Sequence, residues 1–110
     1  MGTIKSSREI DSIFRDSQRV AHPLFIALIA RTPEGRGPEG RVAFIAGRRM
    51  GSAVRRNRAK RVLRAAVRSA GGPWSGFDVL LIATRLTGTA SPPELDKAFS
   101  RLVSRGPLFP

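Results

Sequence analysis

The chain has 110 residues, of which 20 are Lys or Arg and 8 are Asp or Glu, so its formal net charge is +12. This length fits one domain with a modest core, and the absence of cysteine excludes disulfides and thiolate metal sites. The excess of positive charge favours a polyanionic partner: nucleic acid is expected, with an anionic membrane surface as the alternative.

The N-terminal region predicts a helix. Ser6 and Glu9 have the three-residue spacing of a capping box, and apolar residues follow at helical intervals. A first helix is therefore expected over about 7–16. Residues 18–21 are a candidate for a short extra strand.

Two strands are expected next. Residues 24–30 form a continuous apolar run, which is typical of a strand whose two faces are both at least partly covered. A second strand is expected over 41–47. Because the segment 32–40 is rich in Gly and Pro, it reads as a loop, and the two strands are expected to pair as an antiparallel hairpin.

The second half of the chain predicts a helix over about 53–70, a strand over 77–83 and a final helix that begins with a capping box at Ser91 and Glu94. The order of elements indicates a single α+β domain, residues 1–110, with three helices on one mixed sheet. The middle helix could connect two parallel strands, and such crossovers are generally right-handed.

The segment 48–68 holds nine of the 20 basic residues, and the nearest acids along the chain are Glu39 and Asp78. On a helix with roughly 100° between successive residues, its apolar and basic side chains separate onto opposite sides. The apolar stripe consists of Ala59, Val62, Leu63, Ala66 and Ala70. The basic stripe consists of Asn57, Lys60, Arg61, Arg64 and Arg68.

This concentration of like charge indicates a ligand. Like charges three or four residues apart destabilise a helix by a few tenths of a kcal/mol per pair, and Arg64 has such neighbours in Lys60, Arg61 and Arg68. A polyanion would relieve that repulsion, whereas the alternative is a solvated helix face. Asn57 suits a contact to a ribose or base edge, with local capping as its alternative role.

The same segment resembles a known family. The pattern Arg49-x-Gly51-x-Ala53-Val54-x-Arg56-Asn57-Arg58-x-Lys60-Arg61-x-x-Arg64 is similar to the RNR signature of the bacterial ribonuclease P protein subunit. The resemblance extends to the rest of the chain, including Phe14 on the first helix. It implies an α-β-β-β-α-β-α sandwich of ribosomal-protein-like fold, with a mixed sheet and an unusual left-handed β-α-β crossover.

The resemblance also implies a function. Members of that family assist the endonucleolytic removal of the 5′ leader from precursor tRNA, while the RNA subunit is the catalyst and uses magnesium ions. The expected partners are therefore ribonuclease P RNA and the precursor tRNA leader, with no DNA and no membrane. The protein itself is expected to contribute no catalytic residue and no metal ligand.

Site residues follow from matching positions. The residues expected to bind the catalytic RNA are Arg48, Arg49, Arg55, Arg56, Asn57, Arg58, Lys60, Arg61, Arg64 and Arg68. The leader is expected in a cleft between the first helix and the sheet, lined by Ile10, Phe14, Ile26, Leu28 and Ile45. Relatives often carry aromatic residues at Ile10 and Leu28, so apolar packing replaces base stacking there. The alternative role for all five cleft residues is plain core.

Other chemistry is sparse. His22 is the single histidine, and the eight carboxylates are scattered without metal-ligand spacing or a paired nucleophile. No run reaches the roughly 18 apolar residues of a membrane span, so a cytoplasmic protein is expected. Two other functions compete: a structural RNA-binding protein, such as a ribosomal protein, and a DNA-binding module with its basic helix in a major groove.

Overall fold

The computed structural model of the chain describes residues 7–32, 40–47 and 51–105. The expected cap Ser6, most of the loop 32–40, and Arg48 and Arg49 lie outside these ranges. The described elements are α1 (Ser7–Arg15), β1 (Gln18–His22), β2 (Phe25–Arg31), β3 (Arg41–Ile45), α2 (Ala53–Ser69), β4 (Phe77–Ala83), a 3₁₀ turn (Thr87–Thr89) and α3 (Pro92–Arg105). The predicted α-β-β-β-α-β-α order is confirmed, and the candidate strand near 18–21 is present as β1.

The strands form one mixed sheet in the order β1-β2-β4-β3. β1 and β4 flank β2, both antiparallel to it, whereas β3 pairs with β4 in parallel. The prediction that the second and third strands pair as a hairpin is therefore wrong, because β4 lies between them.

Burial explains why β4 takes the central place. Val79, Leu80 and Leu81 are fully buried, which requires a neighbouring strand on each side and a covering layer on each face. A β2–β3 hairpin would leave β4 at an edge, with these backbone groups and side chains exposed. The parallel β3–α2–β4 connection confirms the expected crossover, and its left-handedness stays a prediction.

Helices cover both faces of the sheet. α2 and α3 pack on one face, where Leu63, Val67 and Phe99 contribute to the main core. The ring of Phe99 stacks on Phe25 with centroids 4.5 Å apart. α1 packs on the opposite face through Ile13, so the expectation that β2 is covered on both sides is confirmed.

The predicted capping box of α3 is present. The Ser91 hydroxyl accepts a hydrogen bond from the Glu94 N–H at 3.3 Å, and the Ser91 N–H donates to the Glu94 carboxylate at 3.1 Å. These reciprocal bonds satisfy backbone donors at the start of the helix. The hydrogen bond from the Ser91 N–H is the main cause that lowers the pKa of the Glu94 carboxyl.

A close backbone approach fixes the entry to β3. A Cβ atom added to Gly40 would lie 1.9 Å from the carbonyl oxygen of Trp74 and 2.4 Å from that of Phe77. Only glycine leaves room for these carbonyl groups. Trp74 is buried in the main core, and its indole N–H donates to the Ala70 carbonyl at 3.4 Å. Trp74 therefore serves packing.

Candidate nucleic-acid interface

The start of α2 has specific backbone geometry. Gly51 has a φ of 103°, which favours glycine, and it turns the chain into the helix. Ser52 then adopts an extended conformation and its side chain accepts a hydrogen bond from the Arg55 N–H at 3.4 Å. The first turn of α2 contains no acidic residue, so the positive end of the helix dipole adds to the charge of the arginines.

α2 separates into an apolar side and a basic side, as predicted. Ala59, Leu63 and Ala66 are buried against the sheet and α3, and Val67, which the predicted stripe omitted, is fully buried with them. Val62 and Ala70 are half-buried on the same side.

The polar residues of α2 face outward. Most are exposed, and Arg56 and Lys60 are half-buried. Within the described ranges, the ion pairs are those that Arg41 makes with Glu9 and Asp78, and no cation of α2 takes part in one. Among the residues expected to bind RNA, those exposed on α2 are Arg55, Asn57, Arg58, Arg61, Arg64 and Arg68. A helix of this charge, with no neutralising ion pair in the described part of the chain, favours a polyanionic ligand.

Two arginines of α2 are oriented by contacts with other elements. The Nε–H of Arg58 donates to the Gly88 carbonyl at 3.1 Å, which ties the helix to the 3₁₀ turn. The guanidinium of Arg64 lies 5.3 Å from the centroid of the Phe44 ring on β3. Since each contact restricts a long side chain before any ligand binds, less conformational entropy is lost on binding.

The sheet face under α1 has three rows of side chains, defined by the strand register. The polar row lies where β4 begins, the buried row lies under α1, and the half-exposed row lies where β3 and β4 end. The polar row consists of Ala30, Asp78 and Arg41. The buried row consists of Leu28, Leu80 and Ala43. The half-exposed row consists of Ile26, Ile82 and Ile45.

The expected cleft residues lie around this face. Ile26 and Ile45 form two thirds of the half-exposed row, and Ile10 of α1 is half-buried against the same cluster. Phe14 is 52% exposed, whereas Leu28 is only 7% exposed and lies in the buried row, where it has little surface for a ligand. Ile10, Ile26 and Ile45 keep partly open apolar surface, and Phe14 is exposed one helical turn from Ile10 on α1.

Sequence reasoning missed Ile82, which completes the row between Ile26 and Ile45. After Asp78, its strand is a continuous apolar run over 79–83, in which every residue looks like core. The alternation in burial, with Leu81 and Ala83 buried and Ile82 half-exposed, is visible only once the helices are placed.

A charged bridge holds α1 in position. Arg41 of β3 donates a hydrogen bond to the carboxylate of Glu9 on α1 and lies 3.8 Å from the carboxylate of Asp78 on β4. Burial raises the pKa of the Asp78 carboxyl, while the positive charge of Arg41 and the hydroxyl of Thr32 oppose that shift. The bridge sets which rows of the sheet α1 covers. In the sequence, its one visible sign is Asp78, an acid inside an otherwise apolar strand.

Within the described ranges, no group of three or more His, Cys, Asp or Glu side chains is placed to hold a metal ion. Among those same residues, no helix combines the length and apolarity that crossing a membrane requires.

Comparison with known proteins places this geometry in a family. The family model described as Ribonuclease P matches residues 2–106, almost the whole chain. The chain belongs to the ribonuclease P protein family. A ribonuclease P protein component from Symbiobacterium thermophilum is 33% identical over 110 residues, covering 96% of this chain and 91% of the relative.

Other comparisons agree with the family. A ribonuclease P protein component from Dehalococcoides mccartyi is 35% identical over 69 residues, which cover 63% of this chain and 57% of that relative. The ribonuclease P protein of Staphylococcus aureus superimposes with a TM-score of 0.82 at 17% identity, covering 100% of this chain and 99% of that one. This structural likeness shows that the mixed α+β fold with four strands and three helices is that of ribonuclease P proteins.

Proposed function

We propose that this chain is the protein subunit of a ribonuclease P holoenzyme and binds both the catalytic RNA and the 5′ leader of precursor tRNA. The observation that carries the proposal is the exposed basic side of α2, whose cations have no ion-pair partner among the described residues. The RNR signature lies on this helix, so the family assignment and the electrostatics support the same surface.

α2 binds the catalytic RNA in this proposal. Its 17 residues extend over roughly 26 Å, which is long enough to face several successive phosphates. Guanidinium groups suit phosphate because their planar N–H donors can form two parallel hydrogen bonds. The exposed amide of Asn57 can both donate and accept, so it adds a contact to a ribose or base edge.

The cleft between α1 and the half-exposed row binds the single-stranded leader. Unstacked bases present apolar faces that can pack on Phe14 and on the isoleucines of the row. Mature tRNA lacks the leader, so the cleft favours precursor over product. Magnesium ions belong mainly to the RNA subunit in this proposal, and the protein carries no catalytic residue.

Reconstitution tests the proposal. The full-length protein is added to its cognate ribonuclease P RNA at low magnesium, and the initial rate of leader removal is compared with that of the RNA alone. A clear acceleration is expected, with no cleavage by the protein alone. A matched control is a variant with Arg61, Arg64 and Arg68 all changed to Gln, which keeps the helix and removes three charges.

The same preparation separates the competing functions. A general RNA-binding protein would bind the RNA without accelerating cleavage, and a DNA-binding module would prefer duplex DNA of matched length. Either result, with a folded protein, would reject the proposed function.

A further inference from the structure

A second group of cations lies on α3, beside a surface pocket of about 240 Å³. The pocket lies between the β1–β2 turn and the first turns of α3. Its lining residues are His22, Leu24, Glu94, Lys97, Ala98 and Arg101. Neither the basic helix nor the leader cleft includes any of them, so the proposed function leaves this pocket unused.

The charge of the pocket favours an anion. Lys97 and Arg101 are exposed one helical turn apart, and neither forms an ion pair within the described ranges. Like charges at this spacing destabilise the helix unless a ligand neutralises them. The carboxylate of Glu94 also lines the pocket and accepts hydrogen bonds from the N–H and the hydroxyl of Ser91, so two cations face one carboxylate there.

His22 adds an oriented donor. Its Nδ1 accepts a hydrogen bond from the Leu24 N–H at 3.1 Å, so the neutral ring carries its proton on Nε2. The ring is also held in place by stacking on Phe25, with centroids 5.2 Å apart. The pocket therefore combines two cations with one N–H donor on a fixed ring, a set that matches phosphate oxygens.

Hydrogen bonds connect the pocket to the basic helix. The hydroxyl of Thr87 donates to the carbonyl of Leu24 in the pocket wall, and the next residue, Gly88, accepts from Arg58 of α2. Arg85 and Leu86 precede this 3₁₀ turn, and both are exposed. The 3₁₀ turn thus joins the pocket wall to α2, and the exposed cation of Arg85 lies just before it.

We propose that this pocket binds a backbone phosphate of an RNA strand that passes the start of α2. The inference rests on the proposed function, because it takes RNA as the partner, and it adds a contact on α3. The phosphate comes either from the catalytic RNA or from precursor tRNA, and the two arms of one experiment distinguish these sources.

The test measures how RNA affinity depends on salt for full-length Lys97→Gln and Arg101→Gln proteins. One arm titrates ribonuclease P RNA with the protein, and the other titrates the assembled holoenzyme with precursor tRNA. In the arm that contains the bound phosphate, the slope of log K against log salt is expected to become shallower for both variants, by at most about 0.7–0.9 in each because the two cations share one phosphate. Glutamine keeps the helix propensity of α3.

Arg31→Gln is the matched control, because Arg31 is exposed at the opposite end of β2 and its slope is expected to stay at the wild-type value. Wild-type slopes for both pocket variants in both arms would overturn the inference. If Arg61→Gln lowers the slope in the same assay, the proposed function survives that result. If Arg61→Gln also leaves it unchanged, the proposed function fails together with the pocket.

Discussion

The guanidinium of Arg64 lies over the ring of Phe44 at 5.3 Å, so a residue of the basic helix rests on β3, an edge strand of the sheet. The contact with the Phe44 ring restricts the orientation of the Arg64 side chain, one of the exposed cations of α2. Its strength at an exposed site is about 0.5–1 kcal/mol.

Changing Phe44 to Leu should therefore weaken RNA binding without loss of fold. Leucine keeps apolar packing at this half-buried position but removes the aromatic face, so a loss of affinity of roughly twofold to fivefold is expected. The measurement is a double-mutant cycle with Arg64→Ala. Phe44→Leu should cost nothing further once Arg64 is absent, and an additive loss would show that the ring does not act through Arg64.

Removing the Arg61 charge tests phosphate contact on α2 directly. Arg61 is exposed and makes no ion pair in the described part of the chain, so Arg61→Ala should leave the free energy of unfolding nearly unchanged. Binding to ribonuclease P RNA should weaken, with a salt slope lower by about 0.7–0.9 if one phosphate contact is lost. A slope equal to that of the wild type would exclude such a contact.

Phe14 distinguishes a leader site from plain core. Since its ring is 52% exposed, Phe14→Ala should cost little stability. Loss of base packing should lower holoenzyme affinity for leader-bearing tRNA by about 1–3 kcal/mol and leave mature tRNA unaffected. The control is Ile13→Ala on the same helix, which removes a buried side chain and should cost about 2–5 kcal/mol of stability. Equal losses for both tRNAs with Phe14→Ala would assign the ring to the core.

Arg41 should matter for both stability and the cleft. Arg41→Gln leaves the buried Asp78 carboxylate without its cation and releases Glu9 of α1, so a loss of about 3 kcal/mol is expected in urea unfolding. Glu9→Gln breaks only the α1 side of the bridge and should cost less. If the bridge positions α1, Glu9→Gln should reduce the preference for precursor over mature tRNA more than it reduces binding to the catalytic RNA.

The capping box of α3 predicts a pH dependence. The pKa of Glu94 is lowered in the folded protein by the Ser91 hydrogen bonds, so its stabilising effect is present above its ordinary value of 4.5 and is lost as the pH falls through the folded value. Wild type and Glu94→Gln should therefore differ in unfolding free energy at pH 7, and the difference should shrink as the pH falls below 4.5. Ser91→Ala should cost about 0.5–2 kcal/mol at neutral pH. A wild-type advantage that does not shrink as the pH falls below 4.5 would contradict the capping role of the charge.

Local patterns in the sequence determined the elements and the chemistry of α2. Apolar periodicity gave the helices, because burial repeats every 3.6 residues in a helix, and short apolar segments gave the strands. Both agree with the structure to within two residues at the described ends. The α3 capping box was also readable, since its bonds join residues three apart. The basic side of α2 followed from the same periodicity, and its RNR signature identified the family.

Strand order and the sites built from it were decided by tertiary structure alone. β4 lies between β2 and β3 because it is the strand whose two faces and two edges must all be buried. That requirement can be judged only by comparing all four strands of the sheet. Ile82 joins Ile26 and Ile45, and Arg41 reaches Glu9 and Asp78, only through that order. Such contacts join residues more than 30 positions apart, and no local pattern of charge or hydrophobicity encodes them.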